Sequence, residues 1–344
     1  MVVDDSPVAR EFLVRLLGSD PGIRVVATAH DGEQAIETIT RQRPDVITMD
    51  IHMPRMNGLD ATRRIMQTNP TPIVVVSGST DPKQLATTFE AMEAGALAVL
   101  RRPTGFGHPD HDATARELVQ TVKLMAEVKV VRRWPRARRD AAAPAMPTRL
   151  ERVPLRCRVV AIGASTGGPP VLKTILSRLP ADFPVPVLLV QHIAAGFVRG
   201  FVEWLAQSAR VSVRVAVHGE PVLPGHVYMA DDELQMTVAR NGRIALTQDL
   251  PENGLRPSVS CLFRSVAEVY GGDAIAGLLT GMGRDGADEL RQLRNKGALT
   301  FAQDAASSVV HGMPGEAIRL DAATLVLSPD RIADLLVQLA NDAR

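Results

Sequence analysis

Short apolar runs and amphipathic stretches alternate along most of the chain. Apolar runs bounded by turn residues predict buried strands, and apolar residues spaced by three or four positions predict helices. In the N-terminal third, strands are predicted at Met1–Val3, Arg24–Ala29, Asp45–Asp50, Ile73–Val76 and Ala98–Leu100, and helices at Val8–Leu17, Glu33–Arg41, Gly58–Met66 and Lys83–Ala94. This alternation predicts an α/β fold with a doubly wound parallel sheet.

The alternation resumes after Cys157 and predicts a second α/β domain with a mostly parallel sheet. Its predicted strands are Val159–Ile162, Val187–Val190, Val211–Val217, Ala274–Leu279, Leu299–Ala302 and Leu325–Leu327, and its predicted helices are Val171–Leu179, Phe197–Ala206, Pro257–Tyr270, Ala287–Lys296 and Arg331–Leu339. Between them, His226–Ala239 and Ile244–Leu246 alternate like short antiparallel strands joined by Asn241-Gly242, which predicts a hairpin appended to the sheet.

A change of composition separates the two alternating regions. Residues 113–131 have helical periodicity, whereas residues 132–156 are rich in Arg, Ala and Pro. Such a segment between periodic regions is typical of a linker. We therefore predict a first domain over 1–131, a linker over 132–156 and a second domain over 157–344. A solvated basic linker is the favoured interpretation of the arginines, and contact with nucleic acid or an acidic partner is the alternative.

Length and composition agree with a two-domain globular protein. The chain has 344 residues, of which 45% are hydrophobic and 22% charged, with a formal net charge of +1. Aromatic residues make up 3%, too few for platforms that stack nucleic-acid bases. Two cysteines suit a reducing compartment, and no apolar run of 18 residues or secretory leader pattern is present, so we expect a cytoplasmic protein without membrane insertion.

Three carboxylates follow predicted strands of the first domain. Asp4 and Asp5 come directly after the first strand, and Asp50 ends the third. The carboxyl ends of parallel strands meet at one edge of a sheet, so these groups should lie close together. Clustered like charges are costly unless a cation neutralises them, and oxygen ligands suit Mg²⁺. A solvated helix cap is the alternative for an isolated Asp-Asp pair.

In the second domain, Ser165 lies on a glycine-rich turn between a predicted strand and a predicted helix. Gly163-x-Ser165-x-Gly167 matches the nucleophile-elbow pattern, in which small neighbours allow a serine to stand clear of the backbone. A structural turn or a phosphate-binding glycine loop would have the same pattern. A catalytic interpretation therefore requires a base and an orienting acid elsewhere in the chain.

His192 and Asp285 supply candidates for these roles. His192 follows the strand Val187–Val190, and Asp285 lies in a second glycine-rich turn after Ala274–Leu279. With Ser165 they form a set of nucleophile, base and orienter at one sheet edge. The chain order Ser, His, Asp differs from that of α/β-hydrolases, which disfavours that fold. Spacing alone leaves other residues open as base or orienter: His218, His226, His311, Asp231 and Asp304. Cys261 is interpreted as a core residue.

Motifs in the first domain resemble the receiver domain of two-component response regulators. They are Asp4-Asp5-Ser6, Met49-Asp50-Ile51-His52-Met53-Pro54 and Asn57-Gly58-Leu59, and the resemblance covers roughly residues 1–103. It implies a flavodoxin-like fold, phosphorylation of Asp50 by a chemotaxis-type histidine kinase, and Mg²⁺ held by Asp4, Asp5, Asp50 and the backbone carbonyl of His52. Ser77 would contact the phosphoryl group.

Two features depart from that family. The family has a lysine before its last conserved proline, whereas this chain has Arg102-Pro103. The planar guanidinium of Arg102 keeps the charge but differs in shape from an ammonium, so signal transmission is expected to differ. In addition, only three residues precede Asp4, and we expect the natural reading frame to begin a few residues upstream.

The motifs of the second domain look like those of the chemotaxis methylesterase CheB. They are Gly163-Ala164-Ser165-Thr166-Gly167-Gly168, Gln191-His192, Arg256-Pro257-Ser258, Leu279–Gly286 and Ser307–Pro314. The resemblance places the catalytic roles on Ser165, His192 and Asp285. It further implies that the backbone N–H of Met282 stabilises the oxyanion, with Thr166 beside the nucleophile. Ser260 stands where many relatives carry an acid.

The implied activity is hydrolysis of glutamate γ-methyl esters on methylated chemoreceptors, with release of methanol, and deamidation of receptor glutamines by the same route. The resemblance implies Mg²⁺ for receiver phosphorylation, no cofactor for ester hydrolysis and no nucleic-acid partner. It also implies an open, shallow cleft that the unphosphorylated receiver covers. The alternatives are a non-catalytic response regulator whose second domain binds a protein partner or DNA, and a receiver-gated esterase or amidase with another substrate.

Overall fold

Two parallel sheets carry the fold. The computed structural model describes residues 1–78, 82–105, 107–128, 130 and 157–342, and the side chains of all of these except 82–87 and 339–342. The predicted linker 132–156 lies outside the described residues. None of the helices within the described ranges combines the length and apolar character that a membrane span requires.

The N-terminal half is a five-stranded parallel sheet flanked by helices. Its strands run in the order β2-β1-β3-β4-β5, with every neighbouring pair parallel. The elements are β1 (Val2–Val3), α1 (Pro7–Gly18), β2 (Thr28–Ala29), α2 (Gly32–Gln42), β3 (Ile47–Met49), α3 (Gly58–Thr68), β4 (Ile73–Ser77), α4 (Pro82–Ala94), β5 (Ala98–Arg101) and α5 (His111–Ala126).

Side-chain caps explain why the first three helices begin where they do. Ser6 accepts a hydrogen bond from the backbone N–H of Ala9, as the sequence predicts, and Pro7 follows in the first turn of α1. Asp31 and Asn57 cap α2 and α3 in the same way. Each cap lies beyond the carboxyl end of a strand, so the loops at this edge are fixed at the start of a helix.

The C-terminal half is built on a seven-stranded sheet in the order β14-β13-β12-β6-β7-β9-β8, in which all pairs are parallel. Its strands are β6 (Val159–Ala164), β7 (Val187–Gln191), β8 (Ser212–Val215), β9 (His226–Met229), β12 (Ala274–Leu278), β13 (Leu299–Gln303) and β14 (Leu325–Leu327). An antiparallel pair, β10 (Gln235–Val238) and β11 (Ile244–Thr247), stands apart from this sheet.

The helices of this half are α6 (Gly168–Leu176), α7 (Val198–Ala206), α8 (Val259–Val269), α9 (Ala287–Asn295), α10 (Met313–Arg319) and α11 (Pro329–Asp342), with a short 3₁₀ turn at Gly271–Asp273. The chain leaves β6 toward β7 on one side and later returns to β12 on the other. Loops at such a switch of direction diverge and open a crevice at the carboxyl ends of the strands.

The predicted fold class is confirmed, with corrections to individual elements. His226–Met229 was expected in the antiparallel appendage but is β9, a parallel strand between β7 and β8. The hairpin itself comprises only β10 and β11, with Gly242 at a φ of +74° in its turn. The predicted strand at Arg24–Ala29 shortens to two residues, and α10 was not predicted because this seven-residue helix carries Pro314 and Gly315 in its first turn.

Helix α4 of the N-terminal half packs against α6 and α7 of the C-terminal half. Phe89, fully buried, lies among Phe197, Phe201 and Trp204, with ring centroids 6.3, 5.1 and 5.8 Å away. The ammonium of Lys173 pairs with Glu93 at 2.6 Å and lies 4.7 Å from the centre of the Trp204 ring. The two halves are therefore in contact through a cluster of aromatic rings with an ion pair beside it.

Candidate active site

Three neighbouring strands bring Ser165, His192 and Asp285 to one edge of the C-terminal sheet. Strand β6 lies between β12 and β7, and each of these residues follows the carboxyl end of one strand. The strands are in close register, because Ala164 pairs with Gln191, and Leu278 pairs with Gly163. The structure therefore places the three predicted catalytic residues on adjacent loops. Their catalytic roles remain a prediction.

Backbone hydrogen bonds hold Ser165 on a tight turn between β6 and α6. Its N–H donates to the carbonyl of Thr280 at 3.1 Å, and its carbonyl accepts from the N–H of Gly168 at 2.8 Å. Gly167 lies in the left-handed region with φ of +78°. Gly281 approaches so closely that a Cβ on it would lie 2.7 Å from Cβ of Ser165. Glycine is therefore needed at position 167 for the backbone conformation of the turn and at position 281 for the close packing against Ser165.

His192 and Asp285 form a direct pair. His192 Nε2 lies 2.9 Å from Asp285 Oδ2, and the backbone N–H of His192 donates to the carbonyl of Ala164. The His192 side chain is 12% exposed and the Asp285 side chain 2% exposed. Since Nε2 faces the carboxylate, Nδ1 is the imidazole nitrogen left for another partner.

The Asp285 carboxylate is also bound at the N-terminus of α8. Oδ1 accepts from the Ser258 hydroxyl at 2.8 Å and from the Ser260 N–H at 3.1 Å, and Oδ2 accepts from the Val259 N–H at 2.7 Å. Burial by itself raises the pKa of Asp285, but the hydrogen bonds and charge of His192 and the donors of α8 outweigh it and lower the pKa to about 2. Asp285 is therefore an anion at neutral pH.

The alternative bases and orienters occupy other positions. Of the histidines in residues 157–342, only His192 contacts a carboxylate. The rings of the other three contact backbone carbonyls: His218 that of Leu246, His226 that of Pro224 and His311 that of Gln303. Asp304 accepts from Ser307, and Asp231 accepts from the N–H of Asp232.

Cys261 is not the core residue that the sequence suggested. It is half-buried on α8, and its thiol donates to Glu252 at 2.9 Å. Burial and the neighbouring Glu252 raise the pKa of this thiol to about 12. The thiol is therefore protonated at neutral pH and is a poor nucleophile.

Two backbone N–H groups beside Ser165 are available to a ligand. Thr166 follows Ser165 in the chain. Met282 follows Gly281, whose backbone lies against Ser165. Within the described part of the chain, neither N–H donates a hydrogen bond. The Thr166 carbonyl accepts from the Thr280 hydroxyl at 2.9 Å, and Met282 is exposed. The oxyanion support expected of Thr166 and Met282 remains a prediction.

Several buried polar residues around this edge make contacts that the sequence patterns did not predict. The Thr280 hydroxyl accepts from the N–H groups of Val309 and Val310, the Gln191 amide donates to two carbonyls, and Ser258 contacts Asp285. Ser258 could have been found, because a serine before an apolar helical run indicates an N-cap. A buried glutamine or threonine has no comparable local signature.

The carboxylates predicted for Mg²⁺ meet at the edge of the N-terminal sheet. One oxygen from each of Asp4, Asp5 and Asp50 lies within 4.8 Å of the others. Burial and the charge of Asp4 raise the pKa of Asp50 to about 6, against the opposing effect of Arg102. Oxygen donors crowded in this way fit a divalent cation.

The other predicted receiver residues differ in how they contact this cluster. Arg102 Nη2 donates to Asp4 at 2.8 Å and lies 3.5 Å from Asp50. Ser77 is buried at the end of β4, and its carbonyl accepts from the N–H of Arg102. His52 is exposed, two residues beyond Asp50. The guanidinium thus reaches the carboxylates despite the departure from lysine.

Comparison with known proteins agrees with this architecture. The family description CheB methylesterase matches residues 160–336, and response regulator receiver domain matches residues 1–108. A Nitrosospira multiformis protein named protein-glutamate methylesterase/protein-glutamine glutaminase is 63% identical over 344 residues, covering 98% of this chain and 96% of that protein. A Geobacter metallireducens protein of the same name, numbered 4, is 57% identical over 341 residues, covering 99% and 98%.

A solved structure gives the same result for the C-terminal half. The crystal structure of the Thermotoga maritima CheB methylesterase catalytic domain is 35% identical, covers 53% of this chain and 98% of its own, and superposes with a TM-score of 0.52. The chain therefore belongs to the CheB methylesterase family and carries a response regulator receiver domain in its N-terminal half.

Proposed function

We propose that this protein is a protein-glutamate methylesterase, and a protein-glutamine glutaminase by the same route, with Ser165 as nucleophile. The observation that carries the proposal is the His192–Asp285 pair on the loops that flank the Ser165 turn. Whole-chain relatives named for these activities support the substrate class. We also propose that the receiver domain comprises residues 1–131, the linker 132–156 and the catalytic domain 157–344.

The first half of the reaction transfers the glutamyl group to the enzyme. Ser165 Oγ attacks the ester carbonyl carbon while Nδ1 of His192 takes the hydroxyl proton, and the carbonyl oxygen becomes an oxyanion. Asp285 holds the imidazole and stabilises its charged form. Collapse of the tetrahedral intermediate breaks the bond to the methoxy oxygen, which leaves as methanol with the proton from His192.

Water completes the reaction. His192 takes a proton from water, the resulting hydroxide attacks the acyl-enzyme, and Ser165 leaves with the proton returned by His192. The product is a glutamate side chain. A glutamine side chain passes through the same acyl-enzyme and releases ammonia instead of methanol. The N–H groups of Thr166 and Met282 are the proposed oxyanion donors, because both lie beside Ser165 without an acceptor among the described residues.

The substrates would be methylated chemoreceptors, and the phosphodonor a chemotaxis-type histidine kinase. Asp4, Asp5 and Asp50 would hold Mg²⁺ with the carbonyl of His52, and the bound cation would neutralise charge around a phosphoryl group on Asp50. Arg102 and Ser77 are the proposed contacts that report phosphorylation. No cofactor is assigned to ester hydrolysis.

Regulation by the receiver is supported by the contact of α4 with α6 and α7. Helix α6 begins three residues after Ser165, and α7 begins six residues after His192. A receiver docked on these helices lies beside the loops that carry the nucleophile and the base. We propose that the unphosphorylated receiver restricts access to the site and that phosphorylation of Asp50 weakens this contact.

Replacing Ser165 by alanine should abolish methanol release. The variant lacks the attacking oxygen, so we expect turnover to fall by about 10⁴-fold or more. The measurement is methanol release from methylated receptor membranes. Ser212→Ala, which alters an exposed serine on β8, should behave like the wild type. Full activity in Ser165→Ala would contradict the proposed nucleophile.

Asp285→Asn should lower both turnover and stability. The neutral amide neither holds His192 in the required tautomer nor stabilises its charged form, and we expect turnover to fall by about 10³- to 10⁴-fold. The folded-state pKa of about 2 lies below the ordinary 3.8, a difference of about 2 kcal/mol. This stabilisation is present above pH ~4 and is lost as the pH falls toward 2. Urea unfolding should show the advantage of the wild type over Asp285→Asn shrinking across that range. A gap that stays constant with pH would contradict the lowered pKa.

Asp50→Asn should abolish stimulation by a phosphodonor. The variant has no carboxylate to accept the phosphoryl group, so neither radiolabelled phosphate incorporation nor an increase in methanol release is expected. Asp45→Asn provides the control, because Asp45 is an exposed carboxylate near the opposite end of β3 and should retain both responses. Stimulation that persists in Asp50→Asn would place the phosphorylation site elsewhere.

Phe89→Ala should raise methanol release in the absence of a phosphodonor. The change removes the ring that packs among three aromatic side chains of α7 and its start, and thereby loosens the contact between the halves. We expect an increase of several-fold and a smaller further gain on phosphorylation. Phe12→Ala alters a ring on α1 instead and should leave the regulation intact. Equal behaviour of the two variants would argue against the docking contact.

A further inference from the structure

Gln191 is a buried polar residue to which the mechanism above gives no role. It ends β7, directly before His192, and is 2% exposed. Its Nε2 donates to the carbonyl of Ser165 at 2.9 Å and to the carbonyl of His192 at 2.8 Å. One side-chain amide therefore joins the loop of the proposed nucleophile to the loop of the proposed base.

The orientation of this amide follows from its surroundings. Rotating it by half a turn would direct Oε1 at two carbonyl oxygens, an arrangement without a donor. In the observed orientation Oε1 is buried without a hydrogen bond, and it packs against Gly168, where a Cβ would lie only 2.1 Å away. An unpaired buried oxygen is unfavourable and calls for an explanation. The two carbonyls that Nε2 holds supply a reason for this orientation.

The Ser165 carbonyl controls the direction of the Thr166 N–H. A trans peptide is planar, so its C=O and the following N–H point in opposite directions. The Ser165 carbonyl accepts from both Gln191 Nε2 and the Gly168 N–H, and the Thr166 carbonyl accepts from the Thr280 hydroxyl. These bonds fix the peptide plane and leave the Thr166 N–H directed away from Gln191, with no acceptor among the described residues.

We propose that Gln191 is a positioning residue that aims the Thr166 N–H at the oxyanion. The proposal rests on the proposed acyl-transfer function. His192 does not depend on Gln191 in the same way, because its N–H is bound by Ala164 and its ring by Asp285. Loss of the Gln191 donor should therefore disturb the oxyanion site and leave the base in place.

This role predicts a specific kinetic effect. The negative charge on the substrate oxygen exists only in the transition state and the tetrahedral intermediate, so a misaligned donor lowers kcat and leaves KM unchanged. Removal of one oxyanion donor costs about 10²- to 10³-fold in kcat. Misalignment of a donor that is still present should cost less, and we expect a decrease of at least about tenfold.

The test compares Gln191→Met and Gln191→Glu in the full chain. Methionine fills similar space without a donor, and glutamate keeps the shape but replaces the donor by an acceptor. Expected results are a fall in kcat of at least about tenfold, an unchanged KM and an unchanged midpoint in the pH dependence of kcat. Thr300→Val is the control, because Thr300 is a fully buried polar residue whose hydroxyl donates to the Ala322 carbonyl at 2.7 Å, and no hydrogen bond joins it to Ser165, His192 or Asp285. Thermal unfolding of each variant checks its fold.

A second measurement does not depend on the natural substrate. An alkyl fluorophosphonate labels Ser165 when a bond from Oγ to phosphorus forms, fluoride leaves and His192 takes the hydroxyl proton. The phosphoryl oxygen occupies the oxyanion position, so labelling should slow by at least about tenfold in both Gln191 variants and remain near the wild-type rate in Thr300→Val. Absence of methanol release from the wild type together with slowed labelling would refute the proposed ester substrate and retain the role of Gln191.

Four results would overturn the inference. Labelling of both folded Gln191 variants at the wild-type rate would exclude a role at the oxyanion. A rise in KM at unchanged kcat would assign Gln191 to substrate binding. A shifted pH midpoint would show that the residue acts through His192. An equal loss in Thr300→Val would likewise overturn it, since the loss of any buried polar group would then have the same effect.

Discussion

The C-terminal half depends on a buried negative charge, the carboxylate of Asp285. Its oxygens accept hydrogen bonds from the imidazole of His192 and from three donors at the start of α8. A buried charge without partners would be strongly unfavourable, but a carboxylate that accepts several hydrogen bonds at a helix N-terminus is stabilised. The same bonds join the loops after β7 and β12 to α8. The charge that orients the imidazole therefore also holds the elements that position it.

Close backbone approach makes the rest of the site possible. Gly281 lies against Ser165, Gly168 against the amide of Gln191, and Gly163 against Val259 at the start of α8, each closer than a Cβ would allow. These contacts let the turns after β6 and β12 meet with their N–H groups exposed rather than covered by side chains. The hydroxyl of Thr280 then connects both turns to the segment around Val310. The glycine-rich motifs are thus required for packing as much as for turn formation.

Sequence patterns predicted the order of strands and helices well because each element satisfies a local rule. Ser6 before an apolar helical run, and Ser165 and Asp285 in glycine-rich turns after apolar strands, can be identified within about ten residues. His226–Met229 was assigned wrongly because its partners, β7 and β8, are set by tertiary pairing that its alternating pattern does not encode. The contacts of Gln191 and Thr280 could not be predicted for the same reason, since most of their partners lie far away in the sequence. Local patterns predicted which residues the structure brings to this sheet edge, and long-range hydrogen bonds determine their geometry.

Each half has a carboxylate at the carboxyl edge of its sheet, and the surroundings shift the pKa values of the two groups in opposite directions. Asp50 is buried and faces Asp4, so its pKa rises to about 6, whereas hydrogen-bond donors surround Asp285 and its pKa falls to about 2. A carboxylate crowded by other carboxylates is stabilised when a cation binds beside it. A carboxylate that already accepts several hydrogen bonds gains little from such a change. The N-terminal edge therefore suits the proposed phosphorylation site, and the C-terminal edge suits the fixed charge proposed for Asp285. Helix α4 is the physical link, because it follows β4 of the first edge and packs on the helices that begin after Ser165 and His192. A rearrangement at the first edge that moves α4 would reach the second through rigid helices, without any change in Asp285 itself.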